Sequence, residues 1–425
     1  MLRKLSLLMA LFLLCTSCLG LFSGADPTAD IADLTLGVTP TKVTTSDPMT
    51  EPEFFAVQRS FGVGVFQNVY AAHKGENTLI SPLSILIALS MAANGTGEGE
   101  TREQMLQVLC GASSVEGLTR QLSRYLGDMR SSEYASLRSA NSVWFRDDPL
   151  LQVKESFISS MVGNFGADVY KAPFDRNTVE AINGWCDEKT DGMIPEVISE
   201  IDPQTMLYLI NALLFDAQWD LTYSNTRFAK FTKADGTQQD VRLMFSTEAN
   251  YLRDQYATGT YKMYEDGGYK FVAMLPNEGV TLEQYVASLT GEGIETMLRE
   301  REHAHVKTEI PKFSSECSYT LSEVLSSMGM PLAFDSENAD FSEMGTYDAA
   351  NNGNLYIGEV IHKTAIEVNE VGTRAAAVTV VEQPGESAPP NEIQTYYLTF
   401  DRPFVYMIMD RNNIPLFIGV VNEVE

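Results

Sequence analysis

Four histidines (His73, His303, His305 and His362) are the side chains best suited to proton transfer near neutral pH, and none stands in a recognisable catalytic arrangement. No G-x-S-x-G elbow occurs, and no serine precedes a lysine by three positions. There is no H-E-x-x-H and no phosphate-cradling glycine loop followed by Lys-Ser or Lys-Thr. Gly95-Thr96-Gly97-Glu98-Gly99 trails an expected helix and reads as the turn that ends it. His303-Ala304-His305 puts two imidazoles on one face of an expected strand, as a metal would require. No third ligand follows from the spacing, so the pair reads as solvated and no metal or other cofactor is expected. Asp147-Asp148 reads as solvated loop charge. The chain is not expected to be an enzyme.

The informative stretch is Glu370–Glu392, EVGTRAAAVTVVEQPGESAPPNE. Its first half alternates as a strand does, with Thr373, Ala375, Ala377, Thr379 and Val381 on one face. Arg374, Ala376, Val378 and Val380 take the other. Its second half, with Pro384, Gly385, Pro389 and Pro390, reads as an exposed loop that cannot join a central strand. Small residues leading into such a loop have little to pack against outside a sheet, yet would fit within one.

The elements that must position this stretch are legible in part. Phe54–Ala72 has apolar residues at helical spacing, and Asn77–Ser81 is a short strand-like run. Ser81 caps an expected helix Pro82–Ala93 with proline at its first position. That helix is apolar nearly all round and should be buried. A helix over Thr101–Leu109 stops at Gly111, and Ala140–Phe145 reads as a strand. Asn177-Thr178-Val179-Glu180 reads as a capping box for a helix to Lys189, with Asp191-Gly192 as its exit. Thr205–Trp219 is apolar enough for a central strand. Alternation follows over Val241–Leu275 and Ala304–Phe313, then a helix over Tyr319–Met328. Strands over Tyr396–Phe400, Val405–Asp410 and Leu416–Val421 close the chain. Helices mostly precede strands, which points to an α+β fold with largely antiparallel sheets.

Hydrophobic content of 44% supports a substantial core, and 425 residues allow one large unit. A net charge of −27 excludes the basic face that nucleic acid demands. Arg3-Lys4 followed by the apolar run Leu7–Leu14 reads as a secretory signal, too short for a membrane span. Leu14-Cys15-Thr16-Ser17-Cys18 resembles a lipobox with Cys18 as the acylated residue, although Cys15 stands where leucine is usual. Lipidation and plain secretion are the two readings, and both place the chain outside the cell or on its surface. Residues 1–18 are thus expected to be a signal, 19–52 a mobile tether and 53–425 one domain. Cys110, Cys186 and Cys317 are too few and too far apart for a disulfide framework and read as small buried apolar residues.

Taken together, the motifs of residues 53–425 resemble those of the serpin family. Asn77–Ser84 is similar to the family's strand-into-helix segment, and Asn183–Ile194 to a helix-and-turn segment. Asn211–Phe215 with Trp219 resembles the central strand and its breach tryptophan. Leu355–Glu370, with Gly372-Thr373 and Ala375-Ala376-Ala377, resembles the strand and hinge. Asp401–Phe404 and Pro415–Gly419 resemble the C-terminal signature. The resemblance implies three mainly antiparallel sheets, about nine helices and an exposed reactive-centre loop. It implies a monomeric, metastable inhibitor that a serine protease attacks, and whose cleaved loop inserts into the central sheet to trap the acyl-enzyme. It also matches Ser81, Ser84, Asn211 and His362 to the shutter beneath that sheet, and Glu370 with Lys312 to a pair tying the hinge to its neighbour.

The residues suit such an insertion. The face to be buried, from Thr373 to Val381, carries no charge and no bulk, and Arg374 falls on the opposite face. Roughly ten new hydrogen bonds at a net ~1 kcal/mol each would supply on the order of 10 kcal/mol. The alternative is a non-inhibitory binding protein of the same fold. Counting Glu370 as one, the family's cleaved bond lies at position seventeen, between Glu386 and Ser387. No Lys or Arg lies between Arg374 and Arg402, which excludes a trypsin-like partner. A glutamate-preferring or subtilisin-like protease is expected at Glu386, or an elastase-like one at Val381 or Ala388.

Overall fold

A computed structural model describes residues 30–44, 49–111, 114–129, 132, 134–223, 225–265, 267–347, 354–373 and 393–424. The first long helix, Glu51–Ala72, starts at Thr50, whose hydroxyl accepts from the Glu53 N–H while the Glu53 carboxylate accepts from the Thr50 N–H at 2.7 Å. Ser81 caps the helix Pro82–Ala93, which is buried on almost every side. Being apolar all round, it has no face to offer water and lies between the two large sheets' elements, touching both the Leu207–Gln218 and Pro415–Val421 strands.

Among the described residues there are nine α-helices and three sheets, an α+β architecture. The central sheet runs in the order Ala32–Asp33, Asp168–Ala172, Ala135–Arg146, Leu207–Gln218, Gly372–Thr373, Ile361–Val368, Phe313–Thr320. A second sheet joins Thr395–Thr399 and Glu302–Pro311 at one end to Phe404–Asp410, Pro415–Val421 and Thr78–Ile80 at the other. A two-stranded ribbon pairs Gly345–Thr346 with Gln152–Val153.

The two flanks of the Leu207–Gln218 strand are unlike. One flank is paired with Ala135–Arg146 from Ala217↔Ala135 to Leu207↔Phe145. On the other, among the described residues, only Gly372 and Thr373 pair with it, opposite Gln218 and Ala217. The next strand, Ile361–Val368, meets Thr373 at Val368 and is nowhere hydrogen-bonded to Leu207–Gln218 directly. Further down, Ile210 and Ala212 of one strand and Ile361 and Lys363 of the other line a cavity of about 20 Å³, together with Cys186 and Ile198. The central sheet is therefore parted below Thr373.

Three local expectations differ from the structure. The helix Arg176–Lys189 is capped by Asp175, which accepts from Thr178 N–H at 3.0 Å, two residues before the expected box. A carboxylate at the true first turn outcompetes the amide of Asn177 for the same role. Its exit is as expected, with Asp191 and Gly192 at φ of 50° and 79°. Tyr319 belongs to the strand Phe313–Thr320, and the helix begins only at Ser322. The third difference is the expected tether. Residues 30–44 are docked: Ala32 and Asp33 pair with Lys171 and Tyr170, and Leu34 and Val38 pack against the core.

The helix Glu155–Phe165 is shaped to receive this strap. A Cβ on Gly163 would stand 2.2 Å from the Thr41 carbonyl oxygen. Asn164 donates to that oxygen at 3.2 Å and accepts from Val43 N–H at 2.9 Å, standing in for a neighbouring strand. Asn164→Ala should cost about 1 kcal/mol by removing the hydrogen bonds that hold the half-buried strap. Thermal denaturation together with faster proteolysis near residue 44 would register it.

Candidate functional site

The residues matched to the hinge and breach form one continuous cluster at the end of the central sheet. Asn369 makes the turn, its carboxamide oxygen accepting from Val371 N–H at 2.9 Å and Gly372 N–H at 3.1 Å. Trp219 holds the turn in place: its indole N–H donates to Asn369 O and its backbone N–H to Val371 O, both at 2.9 Å. Tyr223 N–H donates to Glu370 O at 2.9 Å. Trp219 is buried and stacked on Tyr264 at 4.3 Å, with Tyr223 and Phe271 edge-on.

Gly372 must be glycine, since a Cβ there would lie 2.1 Å from Ala217 O. Thr373 is fully buried, its hydroxyl 2.5 Å from that of Tyr264. Burial raises the Tyr264 phenol well above its usual range, so it stays protonated and able to donate. Glu370 and Lys312 meet at 3.5 Å, both partly exposed, as a surface ion pair. Such a pair is worth at most about 1 kcal/mol.

A second cluster lies beneath the parted strands. His362, on the Ile361–Val368 strand, accepts from Ser81 N–H at 2.9 Å through Nε2. Its burial pushes the imidazole pKa down to about 3, so it is neutral and its proton sits on Nδ1. Ser84 Oγ donates to Asn211 O at 3.4 Å, on the opposite strand. One helix N-terminus, through Ser81 and Ser84, thus touches both strands that flank the gap. Asn211 Nδ2 donates to Ser139 Oγ at 2.8 Å and to Asn141 Oδ1 at 2.7 Å, while Asn141 donates to Phe165 O. Asn211 Oδ1 is buried without a hydrogen-bond partner among the described residues. Ser139 and Asn141 are additions to this network; Asn141 inside the Ala140–Phe145 run and Ser139 just before it are the available signal.

The remaining candidates lie apart from both clusters. His303 and His305 are exposed on the Glu302–Pro311 strand. Among the described residues no three His, Cys, Asp or Glu side chains are grouped as a metal site would need. Cys110, Cys186 and Cys317 are unbridged, the first two buried, and burial pushes the Cys186 thiol up to about 12. Cys18, Ala375, Ala376, Ala377, Glu386 and Ser387 lie outside the described residues.

The family model of serpins (serine protease inhibitors) matches residues 56–424. The chain belongs to the serpin family. Serpins are generally protease inhibitors rather than catalysts, and serine proteases are their targets. The chain is similar to the crystal structure of tengpin, a thermophilic serpin, in its native state, with 36% identity and a TM-score of 0.85 over 93% of this chain and 100% of that one. The latent state of tengpin is also similar, with 35% identity and a TM-score of 0.78 over 89% and 100%. Serpin-ZXA of Oryza sativa subsp. japonica is 32% identical over 83% of this serpin and 91% of its own length.

Proposed function

We propose that this serpin is a suicide-substrate inhibitor of a serine protease, cleaved between Glu386 and Ser387. The observation that carries the reading is the parted sheet: among the described residues, only Gly372 and Thr373 lie between Leu207–Gln218 and Ile361–Val368, at one end. The eight residues after Thr373 include no proline, and the face they share with it is small and uncharged through Val381. A strand of that composition fits the gap.

The chemistry belongs to the protease. Its serine oxygen attacks the Glu386 carbonyl carbon, the peptide bond to Ser387 breaks, and the leaving amine takes the proton delivered by the protease's own base. An ester joins the protease to Glu386. Insertion of Thr373–Val381 draws that ester away before water hydrolyses it. Trp219, Tyr223 and Asn369 hold the fixed end of the moving segment, and the Ser81–His362 and Ser84–Asn211 contacts hold the gap that must widen.

Glutamate-preferring and subtilisin-like proteases suit Glu386, an elastase-like one would use Val381 or Ala388, and trypsin-like ones find no cation. The inhibitor acts as a monomer, outside the cell or tethered to its surface through Cys18. Mixing with a glutamate-preferring or subtilisin-like protease should give an SDS-stable covalent complex and a released C-terminal fragment starting at Ser387. A fragment starting elsewhere moves the bond; degradation of the loop without complex rejects the inhibitor reading in favour of a non-inhibitory binding protein.

A further inference from the structure

Behind the hinge lies a buried ion pair that the motifs did not single out. Lys262, on the Ala257–Met263 strand, meets Glu248 of the Gln238–Arg253 strand at 3.0 Å, with side chains only 6% and 11% exposed. Glu248 Oε1 also accepts from Ser246 Oγ at 2.5 Å, and Ser246 Oγ lies 2.7 Å from Thr308 Oγ1. The Lys262 ammonium stands 4.7 Å over the Tyr223 ring and 6.0 Å over the Trp219 ring. Those are the two residues whose backbone N–H groups hold Glu370 and Val371.

A buried ion pair seldom stabilises a fold better than apolar residues of the same size. What it does supply is a fixed geometry, since each charge is costly anywhere except opposite the other. We propose that Lys262 and Glu248 are positioning residues that lock Trp219 and Tyr223 into a rigid post for the fixed end of the inserting strand. The proposal rests on the insertion reading above. The strand that inserts is tethered at Glu370–Val371, so slack in the post lengthens the time before the ester is drawn out of reach. Hydrolysis then wins more often. Neither residue touches the protease, so initial association is unaffected.

The test is the double variant Lys262→Met/Glu248→Leu, which removes both charges and keeps apolar bulk. Hydrogen exchange of the Trp219 and Tyr223 amides in the intact protein should be about tenfold faster. The moles of inhibitor consumed per protease trapped should rise several-fold at an unchanged association rate. Unchanged exchange at both amides overturns the proposal, and so does faster exchange with an unchanged partition, which would leave the pair merely structural. If the double variant fails to fold, Glu248→Gln carries both readouts. A wild-type protein that traps no protease defeats the insertion reading, while the exchange measurement still judges the post.

Discussion

Thr373→Arg is expected to turn the inhibitor into a substrate, with the loop cut at the wild-type rate and covalent complex reduced roughly a hundredfold. Thr373 is fully buried between Ala217 and Val368, its hydroxyl against that of Tyr264. A guanidinium there would lose its water and find no carboxylate facing it from Tyr264 or Ala217. Burying an uncompensated charge costs about 3 kcal/mol or more, and about 1.4 kcal/mol is a factor of ten in partition. Thr373 is already paired with both neighbours in the intact protein, so the charge disrupts the end of the gap from which insertion must propagate. Strand alternation supplies the control: Val378→Arg falls on the opposite face, with Arg374, and should still give complex. The measurement is the ratio of SDS-stable complex to cleaved chain for the two variants. Equal loss in both would show the assigned register to be wrong.

The second large effect is on acid stability, through His362. An unfolded histidine titrates near pH 6.5, whereas burial holds His362 down to about 3. The folded protein therefore binds fewer protons than the unfolded chain between those values. This contribution is fully present above pH 6.5 and is lost as pH falls towards 3, at about 1.4 kcal/mol per unit. At pH 5 the loss is about 2 kcal/mol. The protonated ring could no longer accept from Ser81 N–H, so the destabilisation falls where the helix Pro82–Ala93 meets the Ile361–Val368 strand. Asp410 acts with the opposite sign: burial raises its pKa, so acid relieves a cost there. His362→Gln isolates the histidine, since a carboxamide oxygen still accepts from Ser81 but does not titrate. Urea unfolding at pH 7 and pH 5 should show a loss smaller by about 2 kcal/mol in the variant than in wild type; identical losses would clear His362 of the role.

Much of this was legible in the chain because the relevant signals are local. Ser81-Pro82 before an unbroken apolar run can hardly be anything but a capped, buried helix, and the Leu207–Gln218 strand is apolar on both faces because helices and strands cover it. The hinge was readable because alternation and small size show directly in the residues.

What was not legible depends on distant partners. Residues 30–44 dock through Leu34, Val38, backbone hydrogen bonds and two side chains more than a hundred residues away, Ser159 and Asn164. Nothing in their composition records that. Lys262 looks like any solvated lysine on a strand until Glu248, Trp219 and Tyr223 are folded around it. Asp175 gives no clear capping signal because the helix starts one turn before its first apolar residue. At Tyr319 strand and helix meet within two residues, closer than periodicity resolves.

The central claim is that the parted sheet accepts the loop as a new strand. It is tested most directly by cutting the loop with a metalloprotease, which forms no acyl-enzyme, and comparing thermal unfolding of intact and cleaved protein. About ten added hydrogen bonds, on the order of 10 kcal/mol, correspond to a rise of roughly 10–15 °C in a chain of this size. Cleaved and intact protein melting within about 2 °C of each other would contradict insertion, and with it the inhibitory mechanism.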